Sequence, residues 1–368
     1  MVVAIGLLSA CGQAKLPSTG SISPAASTPS AASPARQQSP SPGVSVSPSA
    51  SASPLPALPP VARAQFPNCR LPYLKGSVAD SHLAGGFVQG SQGLWTADPK
   101  GGISKSGDFF ITDTQPTLKG SAFSSDDTGA YDLALGRWLP VRRTQVRSDG
   151  LAYAYAEPFK AQASDSLSDA TRVHVVSLAD GSDRVIYSGA PRVVVAYESG
   201  GVYVTAVRYY SSEGGSGLWR LDEATGVSTE IPNVQKGWIE AVDKGIAWTD
   251  GATIMPRALT RLDLSSGSQQ TWASVGDQGW IWFAGLDTRG SPLVDLVPIP
   301  ATTSGVLFVY TTSTERTLIA NVGFHEVGVT DSHGTWLAGD DGIYLLDAND
   351  KLTKVSDVTG GTVSGGCH

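Results

Sequence analysis

The 368-residue sequence predicts an all-β fold, a six-bladed β-propeller, with seven blades as the alternative. Three observations predict it: short strand-like runs, turn residues between them, and a turn motif that recurs at near-constant spacing. Glycine (42 residues) and proline (23) are abundant, whereas charged residues make up only 16% of the chain. This composition is typical of short strands joined by many turns, or of low-complexity sequence, and the chain contains both.

The strand-like runs begin at Phe66 and continue towards the C-terminus. They are four to six residues long and rich in Val, Ile, Tyr and Trp, which is the usual signature of strands. Helical periodicity is not sustained over a dozen residues anywhere in this region. Clear examples of such runs are residues 151–155, 193–197, 201–205 and 342–346.

A turn motif divides this region into repeats. In residues 132–136, 221–226 and 262–267 an Asp near a strand end is followed four residues later by a Gly. The Asp can accept hydrogen bonds from backbone amides ahead of it, and the Gly can adopt positive φ. Looser copies occupy residues 177–181, 310–314 and 347–351. Measured on the Gly or its equivalent, the spacings are 45, 45, 41, 47 and 37 residues.

This spacing matches one four-stranded propeller blade per repeat, so six turns predict six blades. Residues 98–128 leave room for further strands, which keeps seven blades open, and a pair of β-sandwiches is less favoured. Residues 148–155, Ser-Asp-Gly-Leu-Ala-Tyr-Ala-Tyr, resemble the turn-and-strand motif of TolB-like and WD-repeat-like propellers. These residues lack the proline of that motif, and they are its one clear copy in this sequence. The resemblance implies the fold and transfers no catalytic residue, because the motif is structural.

Residues 1–11 resemble the signal of bacterial lipoproteins. A short apolar stretch precedes Ser9, Ala10 and Cys11, and small residues before the cysteine allow a signal peptidase to cleave there. The resemblance implies a diacylglyceryl thioether on Cys11, which would anchor the protein to the membrane. That family also has a basic start, which is missing here, so we expect the natural chain to begin upstream of Met1. A buried apolar strand with a chance cysteine is the alternative.

Residues 12–65 consist almost wholly of Ser, Pro, Ala, Thr and Gly. Large apolar residues are too few to offset the entropy of ordering the chain, so we expect a disordered, extended linker. It is either a spacer through the cell wall or a solubilising linker. Residues 66–368 then form the propeller domain.

Charge excludes some partners of that domain. Residues 1–66 carry three basic side chains and no acidic one, so the remainder of the chain carries a net charge of −10. An acidic domain without a basic cluster argues against nucleic acid or anionic lipid as its partner. No run reaches the roughly 18 apolar residues of a membrane-spanning helix. Membrane contact is therefore predicted through the N-terminal lipid, and we expect a monomer.

Cys69 and Cys367 stand at opposite ends of the propeller domain. A propeller brings its chain ends together because the first and last blades are neighbours. An exported protein meets oxidising conditions, so the two cysteines predict a disulfide. Two free thiols, or a metal site with His368, are the alternatives, and one Cys with one His is too few for zinc.

The sequence offers little catalytic chemistry, so we predict no catalytic residue, metal or cofactor. The five histidines share no metal-ligand spacing, and Gly-x-Ser-x-Gly does not occur. His325 and Glu326, with His333 nearby, form an acid/base pair only if they meet at a blade edge, and a surface turn is favoured. Among the aromatic residues Tyr209 and Tyr210 are the candidate ligand-binding residues, since adjacent strand residues face opposite sides.

These observations predict a non-enzymatic binding or scaffolding module outside the cytoplasm, lipid-anchored to the bacterial envelope, with a protein or glycan as partner. The alternative is a secreted glycan hydrolase or lyase with its active site at the channel mouth. A purely structural envelope protein is a third possibility. Carboxylates, His or Arg that converge in the channel would favour the enzyme, and an apolar channel would favour binding.

Overall fold

The chain divides into two compact units, Met1–Leu55 and Pro56–His368. The computed structural model describes parts of the second unit, namely residues 58–76, 80–121, 129–159, 170–206, 216–234, 237–250, 257–276, 279–298, 305–324 and 327–368. The predicted lipid attachment at Cys11 and the predicted ligand-binding residues Tyr209 and Tyr210 lie outside these residues.

The described residues are nearly all β, and their sheets form the six blades of a propeller, as predicted. The chain enters with β1 (Ala62–Arg63). Blade 1 consists of β2 (Arg70–Lys75), β3 (His82–Gln89), β4 (Leu94–Ser106), β5 (Phe109–Thr112) and β6 (Gln115–Ser121), together with the last strand of the chain. A separate hairpin follows, with β7 (Ala130–Asp132) and β8 (Arg137–Leu139). No helix in the described part of the chain is long and apolar enough to cross a membrane.

A 3₁₀ turn (Arg143–Gln145) leads into blade 2, where Val146 bridges Tyr153 at the inner position. Blade 2 consists of β9 (Ala152–Phe159), β10 (Ala170–Ser177) and β11 (Asp183–Gly189). Blade 3 consists of β12 (Arg192–Glu198), β13 (Gly201–Ala206), β14 (Ser216–Leu221) and β15 (Ser228–Glu230). Blade 4 consists of β16 (Ile239–Asp243), β17 (Ile246–Asp250), β18 (Ala258–Asp263) and β19 (Gln269–Ser274).

Blade 5 consists of β20 (Gly279–Leu286), β21 (Pro292–Pro298), β22 (Val306–Tyr310) and β23 (Arg316–Ala320). Blade 6 consists of β24 (Val329–Asp331), β25 (Gly334–Gly339), β26 (Gly342–Leu346) and β27 (Leu352–Ser356). The last strand is β28 (Gly361–Val363). Blades 3 to 6 are antiparallel meanders in which each strand pairs with the next one along the chain.

The ring closes through both ends of the domain. Strand β28 pairs antiparallel with β2 in blade 1, and β1 pairs in parallel with β27 at the outer edge of blade 6. The predicted disulfide between Cys69 and Cys367 is present, with the two Cα atoms 5.6 Å apart. Strand β1 lies in the segment predicted to be linker, so ordered structure begins before Phe66. It does so because the edge of β27 offers backbone partners to this short segment.

The predicted turns join paired strands. Asp222 accepts hydrogen bonds from the N–H and hydroxyl of Thr225, and Gly226 has a φ of 71°. The first turn, residues 132–136, belongs to the β7–β8 hairpin rather than to blade 1. This hairpin packs Tyr131 edge-on against Phe87 of blade 1 at 5.1 Å between ring centroids. Residues 98–128, where the sequence left room for a seventh blade, contribute β5 and β6 to blade 1 instead.

The core is a ring of apolar clusters between neighbouring blades. Between blades 4 and 5, for example, Trp248 and Leu259 pack against Phe283 and Val294. Equivalent clusters join blades 2 and 3, 3 and 4, 5 and 6, and 6 and 1. Since the blades hold one another by these faces, the inner strands are left to line the centre of the ring.

Candidate functional site

A cavity of about 700 Å³ lies at the centre of the propeller. Its walls come from β16, β20, β24 and β28, the inner strands of blades 4, 5, 6 and 1, and from the 3₁₀ turn before blade 2. This volume is within the range of about 300–1,000 Å³ typical of small-molecule sites. The charged side chains and tryptophans that line it are Arg142, Arg143, Trp238, Glu240, Asp243, Lys244, Asp250, Trp282 and Asp287.

Glu240 reaches this cavity through a β-bulge. Ile239 pairs with Thr249 and Ala241 pairs with Trp248, so Glu240 is an extra residue in β16. A bulge leaves the extra residue unpaired and re-aims its side chain. The inner strands β12 and β20 are bulged at Val195 and Ala284, so of these three bulges the one in blade 4 presents a charged side chain.

Asp250, the last residue of β17, faces Glu240. Its Oδ1 accepts a hydrogen bond from the backbone N–H of Trp238 at 3.0 Å, and its own backbone N–H donates to the Trp238 carbonyl at 3.1 Å. The carboxyl groups of Asp250 and Glu240 are hydrogen-bonded to each other. Burial, followed by the negative charge of Glu240, raises the pKa of Asp250 to about 8. At neutral pH the pair therefore shares a proton and offers both a donor and acceptors to a ligand.

Arg143 stands at the cavity on the 3₁₀ turn. The turn is fixed by buried Gln145, which accepts the Arg142 N–H at 3.0 Å and donates to the Val194 carbonyl of blade 3 at 2.9 Å. The Arg143 side chain is exposed, and it forms no hydrogen bond or ion pair with any residue that the structure describes. Lys244, by contrast, lies 3.6 Å from Asp243.

Two tryptophans line the cavity. Trp282 in β20 is 38% exposed, and Trp238 is half-buried beside the Asp250 carboxyl group. Trp248, by contrast, is buried and packs edge-on against Trp272 at 5.4 Å between ring centroids, so it belongs to the core. Among the aromatic side chains that line the cavity, Trp282 is therefore the most exposed one in the described part of the chain.

The inner strands also carry acidic residues that sequence reasoning missed. Glu198, Asp243, Asp287 and Asp331 recur every 44 or 45 residues, at or next to the ends of β12, β16, β20 and β24. Asp331 accepts the Cys367 N–H at 2.6 Å and the Trp336 indole N–H at 2.8 Å. Asp287 binds Arg289, which also binds Asp350 of blade 6. Asp287 and Asp331 thus connect neighbouring blades.

A second polar cluster lies in blade 2, outside the cavity. His174 Nδ1 lies 2.8 Å from Asp183 Oδ1, and His174 Nε2 lies 3.1 Å from Glu157 Oε2. The Tyr155 ring stacks on the imidazole at 4.6 Å, and its hydroxyl donates to Asp183 Oδ2 at 3.0 Å. Burial acts to raise the pKa of Asp183, but the hydrogen bonds from His174 and Tyr155 outweigh it and lower that pKa. The cluster ties together β9, β10 and β11.

Two other histidines lie beside acidic residues. Asp113 lies between His82 Nε2, at 3.0 Å, and Ser104 Oγ, at 2.6 Å. The serine therefore donates to the carboxylate, whereas nucleophile activation requires contact with the imidazole. His333 lies in a turn beside Asp331, as favoured, and its proposed partners His325 and Glu326 lie outside the described residues. Within the described ranges, no group of three or more His, Cys, Asp or Glu side chains is arranged so that it could hold a metal ion.

No protein-family model matches this chain, and no curated protein matches it. Similar solved structures include TolB from Acinetobacter baumannii, with 13% identity and a TM-score of 0.41, covering 81% of this chain and 67% of that one. A protein from Lactobacillus plantarum has 12% identity and a TM-score of 0.46, covering 80% and 98%. The β-propeller domain of the trilobed protease from Pyrococcus furiosus has 9% identity and a TM-score of 0.40, covering 78% and 86%. Similarities of this size carry no information about ligand or reaction.

Proposed function

We propose that this protein is a non-enzymatic binding module that takes a saccharide into its central cavity. The observation that carries the proposal is that the exposed Trp282 side chain lines the same cavity as the hydrogen-bonded Glu240–Asp250 pair. An aromatic face provides a flat apolar surface for a sugar ring, and a carboxyl pair that shares a proton can bind sugar hydroxyl groups. The predicted lipid on Cys11 and the predicted linker would hold this site outside the cytoplasmic membrane.

The shape of the site supports a saccharide over a folded protein as ligand. The cavity of about 700 Å³ is walled by inner strands, and such concave sites bury most of the surface of a small ligand. A folded protein would instead need about 800 Å² of matching surface on each partner. A short glycan, or the end of a longer one, fits the cavity.

The carboxyl pair argues against the glycan hydrolase alternative. Charged groups converge in the channel, which by the criterion above favours an enzyme. The geometry of this pair does not fit a glycosidase, because glycosidases separate their two carboxyl groups by about 5–9.5 Å to place the scissile bond and water between them. Glu240 and Asp250 are hydrogen-bonded to each other, which leaves no room for a bond to be cleaved between them.

The Cys69–Cys367 disulfide supports a location outside the cytoplasm, because disulfides persist in oxidising compartments. The lipid anchor has a direct test. Mass spectrometry of the mature N-terminal peptide should find an acylated Cys11, and Cys11→Ser should release the protein from the membrane fraction. An unmodified Cys11 in a membrane-bound protein would contradict the anchor and leave the binding site unaffected.

Saccharide binding is tested by calorimetric titration of the full chain with a panel of wall and capsular oligosaccharides. Trp282→Ala should weaken the best ligand about tenfold, because an aromatic contact contributes about 0.5–1.5 kcal/mol beyond its buried area. Leu94→Ala is the control, since Leu94 is also exposed but lies outside the central cavity. Equal binding by wild type and Trp282→Ala would overturn the proposal. Release of new reducing ends during the titration would establish the hydrolase alternative.

A further inference from the structure

The charged groups of the central cavity indicate which saccharide it takes, an inference that rests on the proposed function. We infer that the ligand is an acidic saccharide whose carboxylate binds Arg143 while its hydroxyl groups bind the Glu240–Asp250 pair. Three features of the cavity support this assignment: an available cation, compensated acidic groups, and a separation between the two polar sites.

Arg143 is the available cation. Its guanidinium has no hydrogen-bond or ion-pair partner among the residues that the structure describes, although it lines a cavity that also contains carboxylates. Its backbone is fixed, because Gln145 ties the 3₁₀ turn to blade 3. A guanidinium presents paired N–H donors in a planar fork that matches the two oxygens of a carboxylate.

The acidic groups of the cavity are already partly compensated. Asp243 lies 3.6 Å from Lys244, and Asp287 lies 2.6 Å from Arg289. Glu240 and Asp250 share a proton, so together they carry one negative charge instead of two. An anionic ligand therefore meets less repulsion here than the number of acidic side chains indicates.

The two polar sites belong to different walls. Arg143 precedes blade 2, whereas Glu240 and Asp250 belong to blade 4, and Trp282 belongs to blade 5. A ligand that satisfies all of them needs an anionic group away from its hydroxyl groups and an apolar ring face. A sugar ring with a carboxylate substituent has these three properties. A neutral sugar would leave the guanidinium without a partner, and an amino sugar would place a like charge beside it.

The test compares methyl glucuronide, methyl glucoside and glucosamine as probes of the full chain by calorimetric titration. The wild type should bind methyl glucuronide at least about tenfold more tightly than methyl glucoside, and this preference should shrink as salt is added. Arg143→Gln should abolish the preference, because it removes the partner of the carboxylate and brings the affinity for methyl glucuronide down to that for methyl glucoside. Arg143→Lys should keep part of it, since lysine retains the charge without the fork. Arg184→Gln, a half-exposed arginine outside the cavity, is the matched control and should behave like the wild type.

The outcomes separate this inference from the proposed function. If methyl glucoside and methyl glucuronide bind equally and Trp282→Ala weakens both, the acidic ligand is overturned and saccharide binding stands. Tighter binding of glucosamine would overturn the inference in the same way. If none of these probes, nor any oligosaccharide of the panel, binds the wild type, the proposed function fails and this inference fails with it.

Discussion

Cys69 and Cys367 are joined by a disulfide although 298 residues separate them in the chain, and their Cα atoms lie 5.6 Å apart. Backbone hydrogen bonds flank the bridge, because the N–H of Arg70 donates to the His368 carbonyl and the N–H of His368 donates to that of Arg70. The bond thus links the start of blade 1 to the strand that closes the ring. A propeller can open at this seam, so the disulfide should matter for its stability.

We expect Cys69→Ser to destabilise the domain by about 2–5 kcal/mol, because a cross-link over a long loop restricts the unfolded chain. Thermal unfolding with and without reductant checks this. Reductant should lower the unfolding temperature of the wild type to that of the variant and leave the variant itself unchanged. An equal unfolding temperature for the oxidised wild type and Cys69→Ser would contradict a stabilising clasp.

The Glu240–Asp250 pair should make stability depend on pH. Burial and Glu240 raise the pKa of Asp250 to about 8, above its value in an unfolded chain near 4. Between these values the folded state holds a proton that the unfolded state has lost. The contribution of Asp250 is therefore fully present below about pH 4 and is lost as pH rises towards 8, by at most about 1.4 kcal/mol per pH unit.

Asp250→Asn removes this titration, so its free energy of unfolding should fall less than that of the wild type between pH 5 and pH 8. Urea unfolding at several pH values measures the two slopes. Asp180→Asn is the control, because hydrogen bonds to exposed Asp180, led by the Ser182 N–H, lower its pKa to about 2, outside this window. Parallel slopes for wild type and Asp250→Asn would show that the carboxyl pair does not hold the extra proton.

The repeat made the fold predictable from the sequence, whereas the closure of the ring could not be predicted. The turn motif or a looser copy of it recurs every 37 to 47 residues, and this spacing alone indicates the blades. Strands β1 and β28 are only two and three residues long, so they show no alternation, and they form because β27 and β2 offer them backbone partners. Strands β5 and β6 likewise belong to blade 1, and tertiary packing rather than local sequence determines this.

The candidate site was not predictable for a related reason. The alternation of apolar and polar residues along β16 does not reveal its bulge. Because of this bulge, Ile239 and Ala241 both pack between blades while Glu240 lines the cavity. One local signal was available. Lys244 and Gly245 both have positive φ and form a two-residue hairpin turn, which places Asp250 near the start of β16. The 44- to 45-residue spacing of the acidic strand ends was a second signal of the repeat.

Gly226 and Gly181 lie in equivalent turns, but two different physical reasons favour glycine there. Both have positive φ, 71° and 72°, so alanine is strained at either position. At Gly226 an added Cβ would lie 2.3 Å from the Ile186 carbonyl oxygen of blade 2, whereas at Gly181 it would meet open space. We expect Gly181→Ala to cost about 1 kcal/mol and Gly226→Ala about 1–3 kcal/mol more. Urea unfolding measures both, and equal losses would show that the contact between blades 2 and 3 yields without cost.

His174 should be the histidine whose loss is most costly among those described. Its side chain is 11% exposed and both ring nitrogens contact carboxylates, so His174→Ala leaves the partly buried Glu157 and the more exposed Asp183 without that partner. Removing one partner of a buried ionic cluster typically costs about 3–5 kcal/mol, reduced here because the Asp183 side chain is 41% exposed and stays hydrated. We therefore expect a loss of about 2–3 kcal/mol. His82→Ala is the matched control, since His82 also contacts an aspartate but is 50% exposed, and it should cost under about 0.5 kcal/mol. Chemical unfolding of both variants decides the matter: similar losses would mean that the blade 2 cluster is no more stabilising than a surface ion pair.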